Sequence, residues 1–132
     1  MSKKCIIYVD GVEIANKVDV CFTRESRRKG LLGRDSLGEA EGVIMNVPGI
    51  QKKLWGYWNS IHMVGMKFPI AVTWIDGDNR IVHSCNANQQ GLLGMFFPRL
   101  YSSRKPASYI IELHPSHLPK LNIGSVMTVE HL

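Results

Sequence analysis

The sequence predicts a β-rich fold in a single domain, with one or two short helices. Short apolar runs recur along the chain, two turn sequences that contain Asp-Gly separate neighbouring runs, and one stretch has a helix-capping pattern. The chain has 132 residues, of which 45% are apolar and 20% are charged. It is therefore long enough for one domain with its own hydrophobic core.

The first predicted strands surround a tight turn. Residues 5–9 and 12–15 are apolar runs on either side of Asp10 and Gly11. Asp-Gly between two such runs predicts a β-hairpin, because its turn requires positive φ. Residues 18–22 then alternate apolar and polar side chains, which is typical of a half-buried strand.

A short helix is predicted after this strand. Thr23 is a suitable N-cap, and Glu25 places a negative charge in the first turn, where the helix dipole favours it. Gly30 and Gly33 end the helical pattern.

The remaining predicted elements complete a sheet. A second hairpin is expected around the turn at residues 76–79, and residues 115–122 are expected to form a turn of helix. Residues 86–106 form a long loop, and long ordered loops often carry function. Further strands are predicted at residues 42–47, 61–75 with a break at Phe68-Pro69, 80–85, 109–113 and 126–130.

The formal net charge of +5 raises the question of nucleic-acid binding. Arg24, Arg27 and Arg28 have the i, i+3, i+4 spacing that gathers side chains on one helix face. No nucleic-acid recognition module is found around them in the sequence. A solvated basic face and a phosphate-binding surface both stay open, and nucleic acid is kept as one alternative partner.

The sequence predicts no signal peptide and no membrane-spanning segment, so no membrane association is expected. Cys5, Cys21 and Cys85 are odd in number and widely separated, which favours a reducing compartment. We therefore expect a cytoplasmic protein or a part of an intracellular assembly.

Two loop segments are rich in aromatic residues and methionine. Such side chains, when exposed together, anchor protein interfaces with arginine at the rim, so we expect a protein partner or self-association. Two alternatives stay open: the rings fold back into a satellite core cluster, or a tryptophan stacks on a base or a sugar. The predicted interaction surface consists of Trp55, Tyr57, Trp58, Met95, Phe96, Phe97 and Arg99.

A series of short motifs follows one order along residues 18–129. They are Arg27, Gly30-Leu31-Leu32-Gly33-Arg34, Gly42, Ile61-His62, Met66, Phe68-Pro69-Ile70, Ile75-Asp76, Ala107, Ile111-Glu112-Leu113 and Gly124. In this order they resemble the domain-of-unknown-function family 192 (DUF192). The resemblance implies a compact antiparallel β-sandwich or barrel-like fold, and the family has no settled activity.

The chain resembles a divergent member, because the family pattern places Asp where this chain has Ala71 and Ser125. If those carboxylates serve a reaction, this chain has lost it. If they form salt bridges or turn caps, only the local support has changed.

The family-matched Arg34 follows a Gly-rich turn, and a half-buried guanidinium there needs a carboxylate partner such as Glu112 or Asp76. The functional interpretation is a pocket for an anionic ligand, lined by Arg34, His62 and Glu112.

No catalytic residue, metal site or cofactor is predicted, because the sequence has no recognised nucleophile motif and no paired carboxylates. His62 with Met63 and Met66 is compatible with a soft metal, but a hydrogen-bonded histidine among core methionines is the commoner arrangement. His114 and His117 are expected in a surface turn without the geometry of a zinc-binding pair.

These observations favour a non-catalytic binding or structural interaction module that uses the aromatic loops. The first alternative is a small-molecule binding protein or enzyme with the pocket of Arg34, His62 and Glu112. The second is a structural component of a virion or of another multi-subunit assembly.

Overall fold

The computed structural model describes residues 3–47, 59–91, 94, 96–103 and 105–132. No helix within these ranges is long and apolar enough to cross a membrane. The elements in chain order are β1 (Lys4–Val9), β2 (Val12–Cys21), α1 (Arg24–Lys29), β3 (Glu41–Asn46), β4 (Ile70–Ile75), β5 (Ile81–Ala87), β6 (Tyr109–Leu113), a 3-10 helix (Pro115–Lys120) and β7 (Met127–His131).

The seven strands join into one sheet in the order β5-β4-β6-β3-β2-β1-β7. The sheet curls into a half-barrel, so the predicted β-rich, barrel-like class with short helices is confirmed. Its two edge strands approach each other at one end, where Arg80 bridges to Val126. There the amide of Ile81 donates to the carbonyl oxygen of Ser125 at 3.0 Å.

One pair of neighbouring strands, β2 and β3, runs parallel. α1 and the residues after it carry the chain from the end of β2 back to the start of β3, which is the crossover that parallel neighbours require. The antiparallel arrangement holds for every other described pair of strands. The crossover also places α1 beside the end of β3.

The two predicted hairpin turns have the expected backbone. Asp10 and Gly11 both have positive φ, 50° and 82°, as a tight hairpin turn requires. In the second turn Asn79 has a φ of 62°, and the side chain of Asp76 accepts the backbone amides of Asp78 and Arg80 at 2.9 and 3.0 Å.

β2 is one continuous strand over residues for which the sequence predicts two strands, at 12–15 and 18–22. The amides of Asn16 and Lys17 donate to the carbonyl oxygen of Ala40 at 3.1 and 2.8 Å, which fixes the backbone across the predicted break. The polar pair is exposed on a continuous strand and does not end it.

The strand predicted from residue 61 begins only at Ile70. Between residues 61 and 69 there are two isolated bridges, Ile61 with Tyr101 and Val64 with Gln90. Gly65 has a φ of 83°, which an extended strand does not accommodate. This part of the prediction is wrong, and the segment instead forms a wall over the sheet.

Side chains of the central strands alternate between two buried clusters, which we call the first core and the second core. The first core contains Ile44, Ala71, Ile111 and Leu113, together with residues of β1, β2 and β7. The second core lies on the other face of β3, β4 and β6. It contains Val43, Met45, Val72, Trp74 and Ile110, covered by Leu31, Leu37, Met63 and Ala107.

Candidate functional site

Glu112 is the fourth of the five residues of β6, on the face that builds the second core. Its direct neighbours across the sheet are Val43 of β3 and Val72 of β4, and Ile110 on the same strand faces the same way. The side chain is only 7% exposed. A carboxyl group therefore occupies a position where a strand buried on both faces ordinarily has an apolar residue.

No described residue gives the Glu112 carboxylate a hydrogen bond or an ion pair. Burial raises the pKa of Glu112 from 4.5 to about 7. Its Oε1 faces Gly30, where a Cβ would approach it to 3.7 Å. A buried carboxylate without a partner is unfavourable unless something else pairs with it.

A cavity of about 580 Å³ opens beside Glu112. This volume is within the range of small-molecule sites in proteins. α1 forms one side, the ends of β3 and β6 form the floor, and residues 59–66 form the opposite wall. The apolar lining includes Met45, Met63, Ile70 and Ile110.

The α1 side of the cavity is strongly basic. The guanidinium of Arg27 is fixed to the sheet, donating to the carbonyl oxygen of Phe22 at 2.7 Å and to Oδ1 of Asn46 at 2.8 Å. The other three cationic side chains of α1, Arg24, Arg28 and Lys29, form no ion pair with any residue in the described ranges. The four that line the cavity are Arg24, Arg27, Arg28 and Lys29.

The predicted capping of α1 is confirmed, and it fixes the helix that carries these cations. Oγ1 of Thr23 accepts the backbone amide of Ser26 at 3.0 Å, and the Ser26 hydroxyl accepts the amide of Thr23 at 3.0 Å. At the other end of α1, the amide of Gly30 donates to the carbonyl oxygen of Ser26 at 2.9 Å. Gly30 has a φ of 45°. Glycine is suited to that backbone conformation and leaves the space beside Glu112 open.

The wall opposite α1 is attached to the sheet through Asn59, which is 3% exposed. The indole Nε1 of Trp74 donates to the carbonyl oxygen of Asn59 at 3.0 Å. The Asn59 side-chain amide donates to Oγ of Ser103 at 2.9 Å and to the carbonyl oxygen of Lys105 at 3.1 Å. His62 is exposed at the edge of this wall, where its Nδ1 accepts the amide of Val64 at 3.3 Å.

Arg34 is not among the residues that line the cavity. It forms a salt bridge with Asp19, which also accepts the Lys4 ammonium at 2.5 Å. Burial alone would raise the pKa of the Asp19 carboxyl, but the two cations outweigh it and hold the pKa below its usual range. The expected partners, Glu112 and Asp76, are therefore wrong, and the structure brings only His62 and Glu112 to the cavity.

The predicted aromatic surface is described in part. Phe96 and Phe97 are 77% and 83% exposed, which favours the exposed arrangement over a satellite core for these two rings. The guanidinium of Arg99 lies over the ring of Tyr101, 5.4 Å from its centroid. Trp55, Tyr57, Trp58 and Met95 lie outside the described residues.

No group of three or more His, Cys, Asp or Glu side chains able to hold a metal is found where the structure describes the chain. Met63 is buried in the second core. His114 accepts the amide of Ser116 at 3.1 Å and so caps the 3-10 helix. His117 is buried, with Nε2 2.6 Å from the carbonyl oxygen of Glu39, so its expected place in a surface turn is wrong.

The two positions that depart from the DUF192 pattern lie away from the cavity. Ala71 is fully buried in the first core, on the opposite face of the sheet from Glu112. The side chain of Ser125 is hydrogen-bonded to Asp10, and this bond, after that of the Val126 amide, keeps the pKa of Asp10 below its usual value. Neither departure removes a carboxylate from the cavity.

Comparisons with known proteins agree with this architecture. The DUF192 family, described as uncharacterized ACR, matches residues 6–131. No curated protein matches the chain. A protein of unknown function from Novosphingobium aromaticivorans is 15% identical with a TM-score of 0.71, over 95% of this chain and 83% of that one.

A second similar structure is a putative transcription regulator from Sinorhizobium meliloti. It is 15% identical with a TM-score of 0.73, over 98% of this chain and 94% of that one. At this identity both likenesses show the shared fold.

Proposed function

Because the chain belongs to the DUF192 family, which has no assigned activity, we propose its function from the cavity: it is a binding protein for a small anionic molecule. One observation carries the proposal. A cavity of about 580 Å³ is lined by four cationic side chains of α1 and by a buried carboxyl group that no described residue pairs with.

The basic side of the cavity favours an anion. Arg24, Arg28 and Lys29 are exposed and lie on a helix that is fixed at both ends. Charges of one sign along a cleft reinforce each other's field, and the guanidinium group matches the geometry of carboxylate and phosphate. The apolar floor beyond them accommodates the uncharged part of such a molecule.

Removing two of these cations should weaken anion binding. We expect the double variant Arg24→Ser/Arg28→Ser to bind small carboxylates and phosphates at least about tenfold more weakly than the wild type, because each lost guanidinium removes a charge-assisted hydrogen bond. Titration calorimetry with acetate, propionate, inorganic phosphate and ethyl phosphate measures the change.

The matched control is Lys17→Ser/Lys120→Ser, which removes the same number of positive charges from exposed positions outside the cavity lining. Its affinity should stay within about twofold of the wild type. Equal losses in both double variants would assign the binding to net charge and contradict the cavity.

A second candidate function, a protein-interaction module, is supported by the loop that carries Phe96 and Phe97. Leu100 beside them is 58% exposed. The loop is held in place by Gln90, whose Oε1 accepts the amide of Arg99 at 3.0 Å. An exposed apolar patch with an arginine at its edge suits a partner protein that has an apolar groove with an acidic rim.

This second function predicts a partner contact that depends on position and on charge. A photo-crosslinking residue at Phe97 should capture one protein species in cells, and the same residue at Ile123, which is also exposed at 68%, should not. Arg99→Glu should abolish the capture by repelling the acidic rim. Capture that is the same at both positions, or that Arg99→Glu leaves unchanged, would contradict it.

A further inference from the structure

The cavity holds charges of both signs, and the two signs lie at different depths. The α1 cations Arg24 and Arg28 are exposed at its edge, whereas Glu112 is 7% exposed on its floor. We propose that the ligand is a small zwitterion, with its acidic group against Arg24 and Arg28 and its ammonium group against Glu112. This inference rests on the proposed function and names the class of molecule that the same site takes.

Glu112 is the reason for the ammonium group. The residues opposite Glu112 on the two adjacent strands, Val43 and Val72, have apolar side chains. No described residue donates a hydrogen bond to the Glu112 carboxylate. An ammonium group brings a positive charge and three hydrogen-bond donors in a compact form. Gly30 keeps the approach to Oε1 free, because a side chain there would begin 3.7 Å from that oxygen.

A purely anionic ligand fits this arrangement less well. An anion that reaches the floor would require Glu112 to be protonated, because two negative charges at one buried position repel each other. An anion that stays at the edge would make no contact with the apolar side chains deeper in the cavity, Met45 and Ile110 on the floor and Met63 on the wall. A short aliphatic chain between the two charged groups of a zwitterion would cover these apolar side chains.

Matched ligand pairs that differ only in the ammonium group test the inference. Phosphoethanolamine is compared with ethyl phosphate, and β-alanine with propionate, by titration calorimetry on the whole chain. We expect the amine-bearing member of a pair to bind wild type at least about tenfold more tightly, since it adds a charge-assisted contact. This preference should disappear in Glu112→Gln and persist in Lys17→Ser/Lys120→Ser.

Proton exchange with the buffer gives a second readout that needs no variant. Glu112 has a pKa of about 7, so it is roughly half protonated at pH 7 in the free protein. An ammonium group favours the carboxylate, so binding should release roughly half a proton per site. Propionate, which is fully ionised at pH 7, favours the protonated acid and should cause proton uptake, so the pair of β-alanine and propionate gives this readout without a titrating ligand group. Titrations in two buffers with different ionisation enthalpies separate release from uptake.

Two results would overturn the inference, and they differ in what they leave standing. If ethyl phosphate or propionate binds as tightly as its amine partner and depends on Arg24 and Arg28, with proton uptake in the case of propionate, the zwitterion is wrong and anion binding stands. If no member of either pair binds, the proposed function fails together with this inference.

Discussion

Glu112→Gln should raise the free energy of unfolding by about 3 kcal/mol at pH 8 and leave it nearly unchanged at pH 4. The folded-state pKa of about 7 lies above the ordinary value of 4.5, so between these values the folded protein holds more protons than the unfolded chain. The contribution of this group to stability therefore falls as pH rises from 4.5 to 7, by about 1.4 kcal/mol for each unit of pKa difference.

Glutamine removes this penalty because it has the shape of the protonated acid and never ionises. Urea unfolding of the two proteins between pH 4 and pH 8.5 measures the difference in unfolding free energy, in which contributions from other groups cancel. Glu13→Gln is the matched control for the loss of one carboxyl group at an exposed position of β2. A difference for Glu112→Gln that does not change with pH would show that Glu112 is not buried as described.

Trp74→Ala should lower the free energy of unfolding by about 3–5 kcal/mol, and Trp74→Phe by about 1–3 kcal/mol. The indole is fully buried in the second core, so alanine leaves a large cavity there. Phenylalanine restores much of the packing but leaves the carbonyl oxygen of Asn59 without its donor. The free energy of unfolding of a single domain is only about 5–15 kcal/mol, so the alanine variant approaches global unfolding.

The phenylalanine variant should also weaken ligand binding, because Asn59 attaches the wall of the cavity to β4 through that hydrogen bond. Ile111→Val, a fully buried change in the first core, is the control: it should cost about 0.5–1.5 kcal/mol and leave binding unchanged. Urea titration and calorimetry on the same samples separate the two effects. Wild-type stability in Trp74→Phe would contradict the role of the bond to Asn59.

The parts of the fold that were predicted correctly depend on neighbouring residues. Asp10 and Gly11 both adopt positive φ, and Thr23 caps α1 through Ser26, three residues away. β6 has the bounds expected from its apolar run, residues 109–113. Turn and cap chemistry act over a few residues, so a single sequence contains the information.

The parts that were predicted wrongly depend on distant contacts. Residues 61–69 have a strand-like composition, but bridges to Tyr101 and Gln90 and the backbone of Gly65 fold them into a wall. The sequence offers Glu112 or Asp76 as the carboxylate partner of Arg34, whereas the folded chain pairs Arg34 with Asp19 on β2, which lies 15 residues earlier.

The candidate site was predicted only as separate pieces. Arg24, Arg27 and Arg28 were recognised as a basic face, and Glu112 was recognised as a pocket residue. The parallel β2–β3 crossover brings them to one cavity, and no local pattern specifies that crossover. The available signal was the single carboxylate in the otherwise apolar run of β6, since a lone charge in a central strand indicates a functional or paired group.

We propose that a small anionic molecule binds in the cavity between α1 and residues 59–66. Its most direct test is a titration of isotope-labelled protein followed by amide NMR, with phosphoethanolamine and inorganic phosphate as ligands. We predict saturable shifts for the amides of Arg28, Gly30, Val64 and Glu112, with the amides of the exposed Lys17 and Lys120 unaffected. Saturable shifts around Lys17 and Lys120 without shifts at the cavity, or no saturable shift at any residue, would contradict ligand binding in the cavity.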